Sequence, residues 1–150
     1  MRPPPDPVTG AQATYPVRIR AEDIDHLGHV NNAVYLRWVQ DAVVRHWERF
    51  ADGEAAARFL WVALKHEITY RKPAFLEDGL TAAVSLIEAR GARAQFRTLI
   101  RRGEQTLAEI TSAWCAVDRH SHRPLRLPPA TVARFRAAAA PLDGALGGGV

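Results

Sequence analysis

Between residues 33 and 50, apolar side chains recur at Tyr35, Trp38, Val39, Ala42, Val43, Trp47 and Phe50. Arg37, Gln40, Asp41, Arg45, Glu48 and Arg49 fall mostly opposite them. That spacing predicts one long amphipathic helix, with Asn32 placed to cap its start and Asp52-Gly53 to end it. Elsewhere the period drops to two. Tyr15, Val17 and Ile19 alternate with Arg18 and Arg20, which predicts a short strand with one wet face. Val62, Leu64, His66, Ile68 and Tyr70 alternate with Lys65, Glu67, Thr69 and Arg71. Residues 80–88 form a largely apolar run that suits a buried strand, Ala94, Phe96, Thr98 and Ile100 share a face, and residues 106–117 are rich in β-branched and apolar types. Turns are predicted at Lys72-Pro73, Glu77-Asp78-Gly79, Arg90-Gly91 and Arg102-Gly103. Pro128-Pro129 opens a second helix that runs to about Ala140.

The order is strand, long helix, then strands joined by short turns. With no helices between them, the later strands pair antiparallel, so the class is α+β. An 18-residue helix is about 27 Å long and a ten-residue strand about 33 Å, so a sheet can wrap one central helix. Trp38 and Trp47 fill that contact as core residues. Residues 1–14 are proline-rich and aperiodic and read as a disordered lead-in. Residues 15–140 form one domain, and residues 141–150, with Gly147-Gly148-Gly149, a flexible tail.

Composition narrows the function classes. A chain of 150 residues with 47% hydrophobic and 24% charged residues has enough material for one packed core. No apolar run approaches a membrane span, and Met1-Arg2-Pro3-Pro4-Pro5-Asp6-Pro7 has no apolar signal region. A single cysteine, Cys115, excludes an intramolecular disulfide and a cysteine zinc cluster; it reads as a small buried hydrophobe. A cytoplasmic location is the expectation. The net charge of +4 comes mostly from arginines spread along the chain. No basic arm with interleaved aromatics marks a nucleic-acid binder. Two or three arginines at a pocket mouth suit a phosphate-bearing small molecule instead.

The densest chemistry is Asp23-Ile24-Asp25-His26-Leu27-Gly28-His29-Val30-Asn31-Asn32, between the first strand and the long helix. Ordering so many polar groups is costly unless they make a turn or do chemistry. Gly28 permits a tight or left-handed turn, and the helix that follows presents free N–H groups. Such donors polarise a carbonyl and stabilise its oxyanion. A carboxylate upstream either attacks that carbonyl or takes a proton from water. A carboxylate is a weak nucleophile, so an activated acyl group is required. A thioester fits, since a thiol with a pKa of about 8.5 leaves with little acid help. A metal set of Asp23, Asp25, His26 and His29 lacks ligand spacing, and no metal or other cofactor is expected. His120 and His122 read as solvated loop residues.

Asp25-His26-Leu27-Gly28-His29-Val30-Asn31-Asn32-Ala33-Val34-Tyr35 resembles the signature of hotdog-fold acyl-CoA thioesterases, in the 4-hydroxybenzoyl-CoA thioesterase-like branch. Ile68-Thr69-Tyr70-Arg71-Lys72-Pro73, Glu77-Asp78-Gly79-Leu80 and Arg123-Pro124-Leu125-Arg126-Leu127-Pro128 agree with it, so the likeness spans roughly residues 15–135. The resemblance implies an antiparallel sheet wrapped around a long central helix. It also implies homodimers joined edge to edge, in places stacked as dimers of dimers, with active sites at the subunit interface. Asp25 matches the catalytic carboxylate by its distance from Gly28 and Tyr35, as nucleophile or as general base, and Asp23 is left to shape the turn. His29, Asn31, Asn32 and Tyr35 are the candidates for binding or orienting substrate, Asn32 equally as a helix cap and His29 equally as a structural histidine. Several members carry an aromatic residue or a histidine where this chain has Asn31 or Asn32, so the roles of those side chains do not transfer. Arg90 and Arg93, flanking a turn, are candidates for the coenzyme A phosphates, with Arg71 and Lys72 or Arg101 and Arg102 as competitors.

The activity implied is hydrolysis of acyl-CoA to free acid and coenzyme A. Two other readings stand beside it: hydrolysis of acyl groups on acyl carrier protein, whose acidic surface suits a basic enzyme, and a non-catalytic acyl-CoA-binding protein of the same fold.

Overall fold

The computed structural model describes residues 12–137. Five strands form one antiparallel sheet in the order β1-β3-β4-β5-β2. They are β1 (Gln12–Val17), β2 (Phe59–Tyr70), β3 (Leu80–Arg90), β4 (Arg93–Arg102) and β5 (Gln105–Asp118). The long helix α1 (Val34–Phe50) lies across one face, joined by a short α2 (Gly53–Arg58) and by α3 (Pro129–Ala137). This is the α+β arrangement expected from the sequence, a sheet around one principal helix. No described helix is long and apolar enough to cross a membrane.

Helix α1 buries the predicted stripe. Tyr35, Trp38, Val39, Ala42, Val43, Trp47 and Phe50 are all buried, and so is His46. The ring of Trp47 stacks on Phe135 of α3 and meets Trp61 of β2 edge-on. His46 Nδ1 lies 2.8 Å from Tyr15 Oη, fastening the helix to β1 within the core. That bond meets the polar demand of two groups that burial removes from water.

Four expectations are corrected. The first strand begins at Gln12, so residues 12–14 of the supposed lead-in pair with Ser85, Val84 and Ala83; the rest of the lead-in, the expected run of the second helix from 138 to about Ala140 and the tail lie outside the described residues. Asp52 does not close α1. Its carboxylate accepts the Ala55 N–H at 2.7 Å and so caps α2, a helix the periodicity missed. In β2 the face predicted from strict alternation is broken by a bulge between Ala63 and Lys65. The extra residue slips the pattern, so Phe59, Trp61 and Ala63 pack inward while Val62 and Leu64 are exposed. Cys115, paired with Val62, is only half-buried.

Candidate active site

The polar cluster folds as a closed loop at the N-terminal end of α1. After a single 3-10 turn, Ala21–Asp23, the chain enters an antiparallel bridge between Ile24 and Val30. Asn31 N–H donates to the Asp23 carbonyl at 2.8 Å and Asp25 N–H to the His29 carbonyl at 3.1 Å. Val30 N–H reaches the Ala74 carbonyl at 2.8 Å, which docks the loop on the segment before β3. Gly28 turns the tip at φ 87, a left-handed value that a side chain opposes.

Asp23 and Asp25 are held differently. Asp23 is buried, and its Oδ2 accepts from the Arg20 N–H at 2.9 Å and from Arg37 Nη2 at 2.8 Å. The Arg37 guanidinium holds its carboxyl below the usual range, against the opposing effect of burial. Asp25 is half-buried; its Oδ1 accepts the Leu27 N–H at 2.9 Å in a local Asx turn. Its second oxygen has no hydrogen-bond partner among the described residues. One aspartate is thus a tied structural anion and the other keeps an oxygen available.

The helix cap differs from expectation. Ala33 occupies the cap position, and no side chain caps from there. The capping side chain is that of Asn31, whose Oδ1 accepts the Ala33 N–H at 3.0 Å, and whose carbonyl accepts the Val34 N–H at 2.9 Å. Asn32 acts through its backbone: its carbonyl accepts from the Tyr35 N–H at 3.3 Å and from the Tyr70 hydroxyl at 2.7 Å. The Ala33, Val34 and Tyr35 N–H groups, expected to be free, are therefore occupied. Among the described residues no hydrogen bond occupies the N–H of Asn32 or the side-chain amides of Asn31 and Asn32, which leaves them as donors at the entry to α1.

His29 is half-buried, its ring edge-on to Phe75. Tyr35 does not line the site. It is 2% exposed, packed against Trp38 and Tyr70, and burial raises its phenol pKa. It supports Asn32 and Tyr70 from beneath. Tyr70 is the residue the sequence reading missed; it is 42% exposed and stands over the loop. Its position in the alternating stripe of β2 signalled only an inward strand residue.

Arg90 and Arg93 do flank the β3–β4 turn, but they part company. Arg90 lines a cleft of about 610 Å³ with Arg126 and Arg136, floored by Leu127, Val132 and Ala133. Arg93 is outside it. Of the competitors, Arg71 is paired with Glu109, and Arg102 with Asp78 and Gln105. The cleft adjoins α3, whose Arg134 bonds the Phe50 carbonyl at the C-terminal end of α1. It therefore lies roughly 25 Å of helix away from the Asp25 loop. Among the described residues no three His, Cys, Asp or Glu side chains converge as a metal site.

Known proteins share this arrangement. A family model described as the thioesterase-like superfamily matches residues 19–135, from just before the polar loop into α3. The chain belongs to the thioesterase-like superfamily. One relative is the acyl-CoA thioester hydrolase YbgC of Escherichia coli O157:H7, 31% identical over 126 residues, covering 81% of this chain and 94% of that protein. The long-chain acyl-CoA thioesterase FadM of Escherichia coli K12 is 28% identical over 119 residues, covering 74% and 87%. A thioesterase from Thermus thermophilus, crystallised with coenzyme A and zinc, superposes with a TM-score of 0.72 at 25% identity, covering 89% and 96%. As a thioesterase-like protein, the chain carries its Asp25 loop, α1 and enclosing sheet in one unit that these relatives match nearly end to end.

Proposed function

We propose that the protein hydrolyses acyl-CoA thioesters, with Asp25 as the catalytic carboxylate. The observation that carries this reading is the contrast between the two aspartates. Asp23 is bound to Arg20 and Arg37, while Asp25 keeps an unpartnered oxygen in the loop that leads into α1. The similarity to acyl-CoA hydrolases supports the same substrate class.

In this mechanism the thioester carbonyl lies near the start of α1, its oxygen facing the Asn32 N–H and the amides of Asn31 and Asn32. Asp25 then follows one of two routes. As a base it takes a proton from water while the water oxygen attacks the carbonyl carbon; the tetrahedral oxyanion collapses and the C–S bond breaks, releasing thiolate. As a nucleophile it forms a mixed anhydride with the same loss of thiolate, and water hydrolyses the anhydride. If water attacks the aspartyl carbonyl of that anhydride, its oxygen stays on Asp25, so isotopic oxygen found in the Asp25 carboxylate after turnover in labelled water marks the second route.

The coenzyme A phosphates sit in the Arg90 cleft, with Arg126 and Arg136 joining Arg90 and with Arg93 left out. That cleft stands at the end of α1 opposite to the same protomer's Asp25. The long edge strand β2, with Val62 and Leu64 exposed, is where a second copy pairs. Antiparallel pairing of two β2 strands sets the Phe59 end of one beside the Tyr70 end of the other. The partner's β3–β4 turn then stands at the same end of the joined sheet as Asp25, so each active site is shared between protomers.

The deciding experiment is thiol release from short, long and aromatic acyl-CoAs by the wild type and by Asp25→Ala. Loss of nearly all activity in a variant that keeps its fold and assembly is expected. Retained turnover would sink the mechanism. Parallel assay of the same acyl group on acyl carrier protein separates the two carriers, and tight acyl-CoA binding without thiol release would instead mark a binding protein.

A further inference from the structure

Asp23 is the junction of three segments. Its backbone N–H donates to the Arg20 carbonyl at 2.9 Å and its carboxylate accepts the Arg20 N–H, which closes the 3-10 turn. Its carbonyl accepts from Asn31, which closes the loop where it enters α1. The same carboxylate oxygen that holds Arg20 also holds Arg37, one turn inside the helix, on the face turned away from the core. Only Ile24 separates this junction from Asp25. Asp25 itself is fixed inside the loop, by the His29 carbonyl, the Leu27 N–H and the Gly28 N–H; on the entry side Ile24, bonded to the Ala21 carbonyl and bridged to Val30, joins it to the Asp23 junction.

An ordinary surface ion pair would add little, because solvent screens both charges. Here the carboxylate is 3% exposed while the guanidinium is 38% exposed. Asp41, one helical turn beyond Arg37, and Glu22, beside Asp23, are the other carboxylates whose fields act on the guanidinium. Neither accepts a hydrogen bond from it among the described residues. Arg37 is thus committed to Asp23, and the buried Asp23 carboxylate cannot exchange it for bulk solvent.

We infer that the Asp23–Arg37 pair is a positioning device: it fixes the entry side of the loop to α1 and so holds the Asp25 carboxylate in register with the helix N-terminus. This rests on the reading of Asp25 as the catalytic carboxylate. Both residues act through Asp25 and touch no substrate.

The test uses the full-length protein with Arg37→Met, Arg37→Lys, Asp23→Asn and the double variant Asp23→Asn/Arg37→Met. Steady-state kinetics with one acyl-CoA and hydrogen exchange at the Asp25 and Gly28 amides are measured together. Arg37→Met is expected to lower kcat at least tenfold with KM changed less than twofold, and to speed exchange at both amides at least tenfold. Arg37→Lys recovers most of both losses, because an ammonium can still donate to Asp23. The double variant loses no more than the worse single one, as expected of a pair acting as a unit. Unchanged exchange in Arg37→Met overturns the inference. So does faster exchange with intact kcat, provided Asp25→Ala is inactive. If Asp25→Ala remains active, the failure lies in the reading of Asp25, and the exchange data alone judge the positioning. Should Arg37→Met not fold, Arg37→Lys and Asp23→Asn carry the same comparison, and equal kcat in both with wild type overturns it.

Discussion

The hydroxyl of Tyr70, at the end of β2, donates to the main-chain carbonyl of Asn32 at 2.7 Å, tying the edge strand of the sheet to the turn that leads into α1. The same ring meets Tyr35 edge-on at 5.1 Å, so one residue joins sheet, loop and helix. Both partners of the Asn32 carbonyl, the Tyr70 hydroxyl and the Tyr35 N–H, must be in place for Asn32 to keep its orientation. Tyr70→Phe removes the bond and keeps the ring. A stability loss of about 1 kcal/mol is expected from a single half-exposed hydrogen bond, read as a lower urea midpoint at unchanged slope. Because Asn32 is a proposed carbonyl-polarising group, kcat should fall by more than that loss of folded protein explains. A variant with wild-type kcat would remove Asn32 orientation from the mechanism.

Gly28 offers a cleaner probe of the loop. Its φ of 87 lies in the left-handed region, yet a Cβ built there meets nothing within 4 Å. Any cost of substitution is therefore conformational and not steric crowding. Gly28→Ala should lose about 1–2 kcal/mol, with Gly28→Asn losing less because asparagine tolerates that region. A β-branched residue should be worst. Equal melting temperatures for Ala, Asn and Val variants would show that the turn is not held in this conformation in solution.

What the sequence disclosed follows from how local each determinant is. The α1 stripe was legible because it repeats turn after turn and every apolar position meets the same core. The Asp25 motif was legible because its spacing brings an aspartate, a glycine and a helix start together without help from distant residues. The inward face of β2 was misread where one bulge residue, between Ala63 and Lys65, reverses the alternation, and that bulge depends on the β5 partner. Asn32 looked like a cap from its place before the helix, but Asn31 takes the role because the chain makes a turn at 32–33 first. Arg37 read as part of a wet helix face. Its value depends on Asp23, fourteen residues away, and on burial that no pattern of residue types displays. Arg136 lies on the last helix, where nothing in the residue pattern sets it beside Arg90; tertiary packing does.

The Tyr15–His46 contact predicts how the core responds to alkali. Burial pushes the Tyr15 phenol up to about 12, with Arg49 nearby acting against the shift. In the unfolded chain the group titrates near its ordinary value of about 10. Its folded pKa is raised, so the contribution to stability is fully present below pH 10 and is lost as the pH climbs toward 12. The loss is at most about 3 kcal/mol, since one pKa unit corresponds to about 1.4 kcal/mol. Denaturant titrations at pH 9 and pH 11 should show this decline in the wild type. Tyr15→Phe should start lower at pH 9, by about 1–2 kcal/mol for a buried hydrogen bond, and decline less steeply. Parallel slopes in the two proteins would assign the alkaline loss to another group.

The proposed dimer with shared sites is testable by mixing two inactive variants. Asp25→Ala lacks the carboxylate, and Arg90→Glu/Arg126→Glu reverses charge in the cleft that is proposed to hold the coenzyme A phosphates. Each homodimer should fail for a different reason: the first in kcat, the second in KM for acyl-CoA. In a mixed dimer with sites shared across β2, one site combines both defects and the other contains neither. Doubly tagged mixed dimers should then regain about half of the wild-type activity per dimer, as two-fold symmetry with one intact site requires. If each site instead drew its carboxylate and its arginines from a single chain, both sites of the mixed dimer would carry one defect. Its activity would be no higher than that of the two homodimers. Thiol release by the purified mixed species distinguishes the two outcomes directly. The comparison also separates loss of phosphate binding from misfolding, because a misfolded arginine variant could not supply the intact Asp25 that rescue demands.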